Sequence, residues 1–146
     1  MLHQTGINHY AIMFVIMIVS GLLSTMNVWA DSPDDIHFSL NDLYMSLLMA
    51  GWMIFFMALV YGDKWAPFVG LLIAAAAYMA IRYQLFISES QYLQGMIPHH
   101  SMAIFMSKRM LEKSNGIDVL LHGIVGSQRK EIKLMQERLK TLETPR

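Results

Sequence analysis

Apolar positions dominate the first ninety residues in three long runs, and only short polar stretches separate them. The first run extends from Tyr10 to Ala30, the second from Leu43 to Tyr61, and the third from Pro67 to Ile87. Each is close to the roughly 20 apolar residues that an α-helix needs to cross a bilayer core. The pattern predicts three transmembrane helices at about 10–30, 43–61 and 67–87. Ser20, Gly21, Ser24 and Thr25 in the first run are small enough to let helices approach closely. Val28-Trp29-Ala30 before Asp31 has the form of a signal-peptide cleavage site. No Lys or Arg precedes the run, and the run is long for a signal, so a retained helix is favoured. Pro67 suits the first turn of the third helix. The loop from Asp31 to Asp42 is polar and acidic, with Asp34, Asp35 and His37.

After residue 87 the period changes. Ser88 with Gln91 three positions on has the form of a helix-capping box. The helix it opens extends to Leu111 or Lys113, with Pro98 expected to kink or restart it. Ser114-Asn115-Gly116 reads as a helix stop. A second helix follows from Ile117 to about Leu142, with Val119, Leu120, Ile124, Ile132, Met135 and Leu139 on one apolar face. Thr144-Pro145-Arg146 reads as a frayed end. The sequence thus predicts an all-α chain: a membrane region over 1–87, then a helical hairpin over 88–146.

Composition supports the membrane reading. Hydrophobic residues make up 55% and charged residues 15%, against roughly 25% charged in soluble domains. Of the 11 Lys and Arg, only Lys64 lies before Arg82. By the positive-inside tendency, Lys64 places the second loop inside and the acidic first loop outside. The tail is then outside too, as expected for a bacterial plasma-membrane protein whose hairpin faces the periplasm. The basic residues of the tail pull the other way, but such residues weigh less in a translocated domain. Arg82, near the outer end of the third run, reaches the interface by snorkelling or pairs with Glu89. A net charge of zero, with no basic cluster interleaved with aromatics, leaves no signal for nucleic acid. The expected partners are the lipid bilayer, a metal ion and a second copy of the chain.

Cysteine is absent, which removes disulfides, thiolate metal sites and cysteine nucleophiles. Methionine is abundant, with 14 residues. Thioethers bind soft ions such as Cu(I) and Ag(I), but methionine also fills cores and membrane helices as a flexible apolar residue. Met45, Met49, Met53 and Met57 recur every four residues in the second run, and Met13 and Met17 in the first. Both sets read as helix seams or lipid-facing surface, because a four-residue step drifts about 40° around the axis.

The tail is different. Met96-Ile97-Pro98-His99-His100 is followed by Met102, Met106 and Met110. His99, Met102, Met106 and Met110 are spaced to share a helix face, and Met96 stands one turn before His100. Imidazoles and thioethers together suit Cu(I), Ag(I) or Cu(II), whereas zinc more often recruits thiolate or carboxylate beside histidine. On the last helix Gln128, Glu131 and Met135 share a face. Packed antiparallel, Glu131 could bind metal or orient a histidine through its second ring nitrogen, and His122 lies near the start of that helix. The plainer alternatives are methionine packing and, for Glu131 beside Lys130 and Lys133, a solvated helix face. No paired Glu-x-x-His, zinc-protease motif or phosphate-binding glycine loop is present.

The segments "MIPHHSMAIFM" and "QRKEIKLM" resemble the two sequence blocks of the domain-of-unknown-function 305 family, strongly over Glu89 to Leu139. The early Asn8-His9-Tyr10 and the three apolar runs resemble its membrane-anchored branch. The resemblance implies a ferritin-like helical arrangement and an extracytoplasmic copper-handling role. It implicates Met96, His99, His100, Met106, Gln128, Glu131 and Met135. Glu89 stands where the family commonly has Asp, and Met102 and Met110 are additions to the family pattern. A two-helix tail cannot close a four-helix bundle alone, so it must pack on the third membrane helix or on a second copy.

The expected function is sequestration of Cu(I), with silver as an alternative ion, by Met96, His99, His100, Met102, Met106, Glu131 and Met135. Cu(II) is the less favoured oxidation state, and no catalysis is expected. Binding should weaken as pH falls below the usual imidazole value of about 6.5. An interaction or oligomerisation module without metal, and a copper-dependent redox enzyme at the same cluster, are the competing readings.

Overall fold

A computed structural model describes residues 7–113 and 116–143. The expected Ser114-Asn115 stop and the Thr144-Pro145-Arg146 end lie outside the described residues. Those described form five α-helices and no strand: α1 Ile7–Leu23, α2 Leu40–Tyr61, α3 Ala66–Tyr83, α4 Glu89–Leu111 and α5 Asp118–Glu143. Two short 3-10 turns, Met26–Trp29 and Pro33–Asp35, lie between α1 and α2. Three stretches, His9–Trp29, Leu40–Tyr61 and Ala66–Tyr83, are long and apolar enough to cross a membrane.

The chain divides into two compact units. One comprises residues 1–24 and 40–86, the other 25–39 and 87–146. The 25–39 segment therefore packs with the tail, where the hydropathy pattern extends the first membrane run to Ala30. The helix stops at Leu23 because the following residues have partners of their own. Trp29 meets Phe105 of α4 edge to face, with centroids 6.2 Å apart. The Asn27 amide closes the segment on itself, donating to the His37 carbonyl at 2.7 Å and accepting the His37 N–H at 3.1 Å.

In the first unit α2 and α3 form a seam of small residues. Ser46, Ala50, Gly51, Ile54 and Ala58 are buried on α2, and Gly70, Ala74, Ala77 and Ala80 on α3. Two glycines set the spacing. A Cβ on Gly51 would fall 2.6 Å from the Ala74 nitrogen, and one on Gly70 2.5 Å from the Phe55 nitrogen. Backbone thus meets backbone, the geometry by which membrane helices gain dispersion contact without help from water. Gly21 lets α1 approach α2 over the Ser46 side chain, whose Oγ would lie 2.5 Å from an added Cβ. Asp63 starts α3: its Oδ1 accepts the N–H groups of Trp65 at 2.9 Å and Ala66 at 3.1 Å. The Ala66 and Trp65 hydrogen bonds hold the carboxyl below its ordinary value. At the other end Gln84 takes the left-handed conformation (φ 49°), and its side chain donates to the Ile81 carbonyl at 2.7 Å. The α2 side chains Asn41 and Tyr44 tie this turn down, on Gln84 and the Leu85 carbonyl.

In the second unit α4 and α5 pair through apolar stripes. Leu93, Ile97 and Ile104 meet Ile132 and Leu139, with Val125 and Met135 against them. The α5 stripe is Leu121, Val125, Gln128, Ile132, Met135 and Leu139, whose alternating steps of four and three are those of a helix–helix seam. This corrects the expected face at the start of α5. Leu121 is buried, whereas Val119 is 89% and Leu120 60% exposed. α4 starts at Ser88, whose Oγ accepts the Gln91 N–H at 3.3 Å. It runs through Pro98 as one helix rather than restarting there. Glu89 is held by Arg138 at 2.8 Å, the partner it has in place of the Arg82 pairing considered from the sequence. That carboxylate raises the Arg138 guanidinium further above its already high value.

Gly123 and Gly126 of α5 have nothing within 4 Å of a built Cβ. Both sit inside a helix, where glycine costs roughly 0.5–1 kcal/mol relative to alanine. Gly123→Ala is therefore expected to raise the stability of the tail by about that amount. A lower melting temperature of the alanine variant would show that this face of α5 is already in close contact.

Candidate metal centre

The second unit carries every candidate ligand. His100 is their most constrained member. Its Nδ1 lies 2.8 Å from the Met96 carbonyl oxygen one turn earlier, and its Nε2 lies 2.8 Å from Glu131 Oε2 on α5. The Met96 carbonyl can only accept, so Nδ1 donates to it. That bond fixes the ring and aims Nε2 across the hairpin. A metal ion placed between Nε2 and the carboxylate must push the two atoms apart, since each would stand about 2 Å from the ion. Glu131 can move, because its side chain is 49% exposed and that of His100 only 12%.

His99 is adjacent and exposed, its ring edge to face with His100 at 5.8 Å between centroids. Met96 and Met102 are half-buried, while Met106 is 53% and Met110 43% exposed. The face that carries His99, Met102, Met106 and Met110 is therefore largely the outer face of α4. The buried face is Leu93, Ile97, Ser101, Ile104 and Ser107. On α5, Met135 packs against the apolar cluster and Gln128 is half-buried in the seam, whereas His122 is exposed. His100 and Glu131 are thus brought together. The Met102, Met106 and Met110 stripe and the Gln128, Met135 pair lie on different faces.

Among the described residues no group of three or more His, Asp or Glu is placed to hold a metal ion. The other candidate ligands of α4 are the thioethers of Met96, Met102 and Met106, the ligand type of a soft ion.

The side chains that the sequence reading missed hold 25–39 against the hairpin. Asp35 is only 7% exposed. Its Oδ2 accepts the Ser101 hydroxyl at 2.6 Å and its Oδ1 the Gln136 amide at 2.9 Å. Ser101, fully buried, in turn accepts the Asp31 N–H at 2.8 Å. Both Asp31 oxygens bind the Lys108 ammonium, one of them at 2.8 Å. These partners stand 66 to 101 residues apart in sequence. One signal did exist. If α2 and α3 both cross a membrane, the loop before them and the tail after them emerge on the same side.

Two comparisons relate this chain to known proteins. The profile of the family described as Domain of unknown function (DUF305) matches residues 79–139. An uncharacterized protein of Acanthamoeba polyphaga mimivirus is 44% identical over 131 residues, covering 85% of this chain and 86% of its own. No solved structure matches.

Proposed function

The chain belongs to this family, and from that premise we propose that it is a membrane-anchored protein that sequesters Cu(I), with Ag(I) as a competing ion. The three apolar helices anchor it, and the α4–α5 hairpin with its 25–39 strap stands on the outer side of a plasma membrane. The observation that carries the reading is His100, pinned through Nδ1 to the Met96 carbonyl so that Nε2 points at Glu131. A second ring contact of this kind fixes which nitrogen is offered to a metal. His99 supplies the neighbouring imidazole, and Met96, Met102 and Met106 the soft donors. Glu131 is a ligand, or the group that orients His100, and Met135 closes the seam behind them. The protein holds the ion rather than transforming a substrate. In a ferritin-like arrangement the hairpin would supply two of four helices.

The test is Cu(I) affinity of the full chain in detergent, by competition with a chelator. His99→Ala/His100→Ala is expected to weaken binding by about 100-fold or more, and Glu131→Gln by about 10-fold. Met96→Leu/Met106→Leu should lower Cu(I) affinity more than Cu(II) affinity. Because imidazole and carboxylate must lose protons to bind metal, affinity should fall steadily on acidification. Wild-type binding no tighter than that of the double-histidine variant would sink the proposal.

A second reading has one observation of its own. Val119, Leu120 and Leu134 are at least 60% exposed along α5, as they would be if the hairpin docked on a second copy. Chelator-independent self-association, abolished by Leu120→Lys, would favour it.

A further inference from the structure

The membrane unit contains a groove of about 650 Å³ that the metal reading does not use. Its walls are Phe14 and Val15 of α1 and Val69 and Ile73 of α3, with Ile54 of α2 at its floor. The close approach of Gly21 to Ser46 joins α1 to α2 at one end, and at the other His9 of α1 meets Tyr61 of α2 edge to face, with centroids 6.0 Å apart. The polar groups stand at one end only. There Asp63, Trp65 and Tyr10 border the groove, and Lys64 follows Asp63 with its side chain exposed.

We propose that this groove holds one acyl chain of a membrane phospholipid with a primary-ammonium headgroup, the ammonium on Asp63 and the phosphate on Lys64. The inference rests on the membrane-spanning reading of α1 to α3. Three observations carry it. From Asp63 to Ile73 the groove follows ten residues of chain, about 10–15 Å of helix, which is roughly half the thickness of a hydrocarbon core. It therefore fits a chain from one leaflet and not a spanning molecule. Its volume lies within the roughly 300–1,000 Å³ of ligand pockets. And the charges match: anionic Asp63 borders the groove and cationic Lys64, exposed, is the next residue of the chain, as a zwitterionic headgroup requires. Asp63 keeps its negative charge because the backbone N–H groups of Ala66 and Trp65 hold its carboxyl below the ordinary value of 3.8. The aromatic Trp65, 77% exposed, suits the headgroup level.

The experiment is native mass spectrometry of the full chain released from bilayers of equal parts phosphatidylethanolamine, phosphatidylcholine and phosphatidylglycerol. The wild type should retain one phosphatidylethanolamine at least fivefold over either competitor. Asp63→Asn should lose that preference while still folding, because asparagine caps a helix about as well as aspartate. Val69→Trp, which fills the groove, should lose the bound lipid with any headgroup. Equal retention of the three lipids by the wild type, or an unchanged preference in Asp63→Asn, would overturn the site. A chain that washes off membranes in alkaline carbonate would overturn it too, by removing the membrane reading on which it stands.

Discussion

Gly70→Ala is expected to destabilise the membrane unit by about 3 kcal/mol, large for the addition of one methyl group. The new Cβ would stand 2.5 Å from the Phe55 nitrogen and 2.7 Å from the Gly51 carbonyl oxygen. Neither neighbour is a side chain that can rotate away. The helices must separate, and every small residue along the seam then loses contact at once. Ala50, Ala58, Ala74 and Ala77 are all at most 5% exposed, so each has contact to lose. Retention of helicity against added SDS in mixed micelles measures the effect. A variant as resistant as wild type would mean that α2 and α3 do not pack through Gly51 and Gly70. Gly62→Ala is a useful contrast. It meets no atom within 4 Å and its penalty comes only from a φ of 69°, so a loss of about 1 kcal/mol is expected.

Asp35→Ala is expected to release the 25–39 strap from the hairpin, at a cost of about 2–3 kcal/mol. The carboxylate is the acceptor for both the buried Ser101 hydroxyl and the Gln136 amide. Its removal strands the fully buried Ser101 hydroxyl, while the half-buried Gln136 amide is left to water. The partly exposed Asp31 and Lys108 pair would remain, but ion pairs of that kind contribute about 0–1 kcal/mol. Limited proteolysis reads the result directly: cleavage within residues 25–39 should accelerate by at least about tenfold while α2 and α3 stay protected. Unchanged protection would show that Trp29 on Phe105 and the Asn27 clasp hold the strap without the carboxylate. Ser101→Ala should weaken the strap less, because it leaves Asp35 bonded to Gln136.

The hydropathy pattern located α2 and α3 to within a few residues, since a bilayer span is the longest signal a sequence carries. The run from Tyr10 to Ala30 agrees with the apolar stretch His9–Trp29, but the α-helix itself ends at Leu23, and nothing local says that Trp29 has a partner at Phe105. The chain leaves the helix for the sake of contacts some seventy residues away. The start of α5 went astray for a smaller reason. Val119, Leu120 and Leu121 are consecutive apolar residues, and only the partner helix decides which of them turns inward. The candidate metal site was legible as a list of residues and less so as a surface. The His-Met spacing grouped His99 with Met102, Met106 and Met110, and that face is largely outward. Adjacent His100, one residue round the helix, is the histidine that meets Glu131. Asp35 carried no spacing signature at all, because its bonds to Ser101 and Gln136 are set by tertiary packing.

The strap also bears on how the protein is made. Its hairpin unit is discontinuous: residues 25–39 leave the ribosome early, and the partners of Asp35 and Asp31 follow 66 to 101 positions later. Contacts that distant in sequence form slowly, because a long loop must close before any of them is gained. During synthesis the strap must wait without these partners while α2 and α3 emerge and α5 is still being translated. A chain truncated before Gln136 would keep α1 to α4 yet lack one of the two side chains that bond Asp35. The loss of a residue in α5 would therefore be felt at a segment translated about a hundred positions earlier.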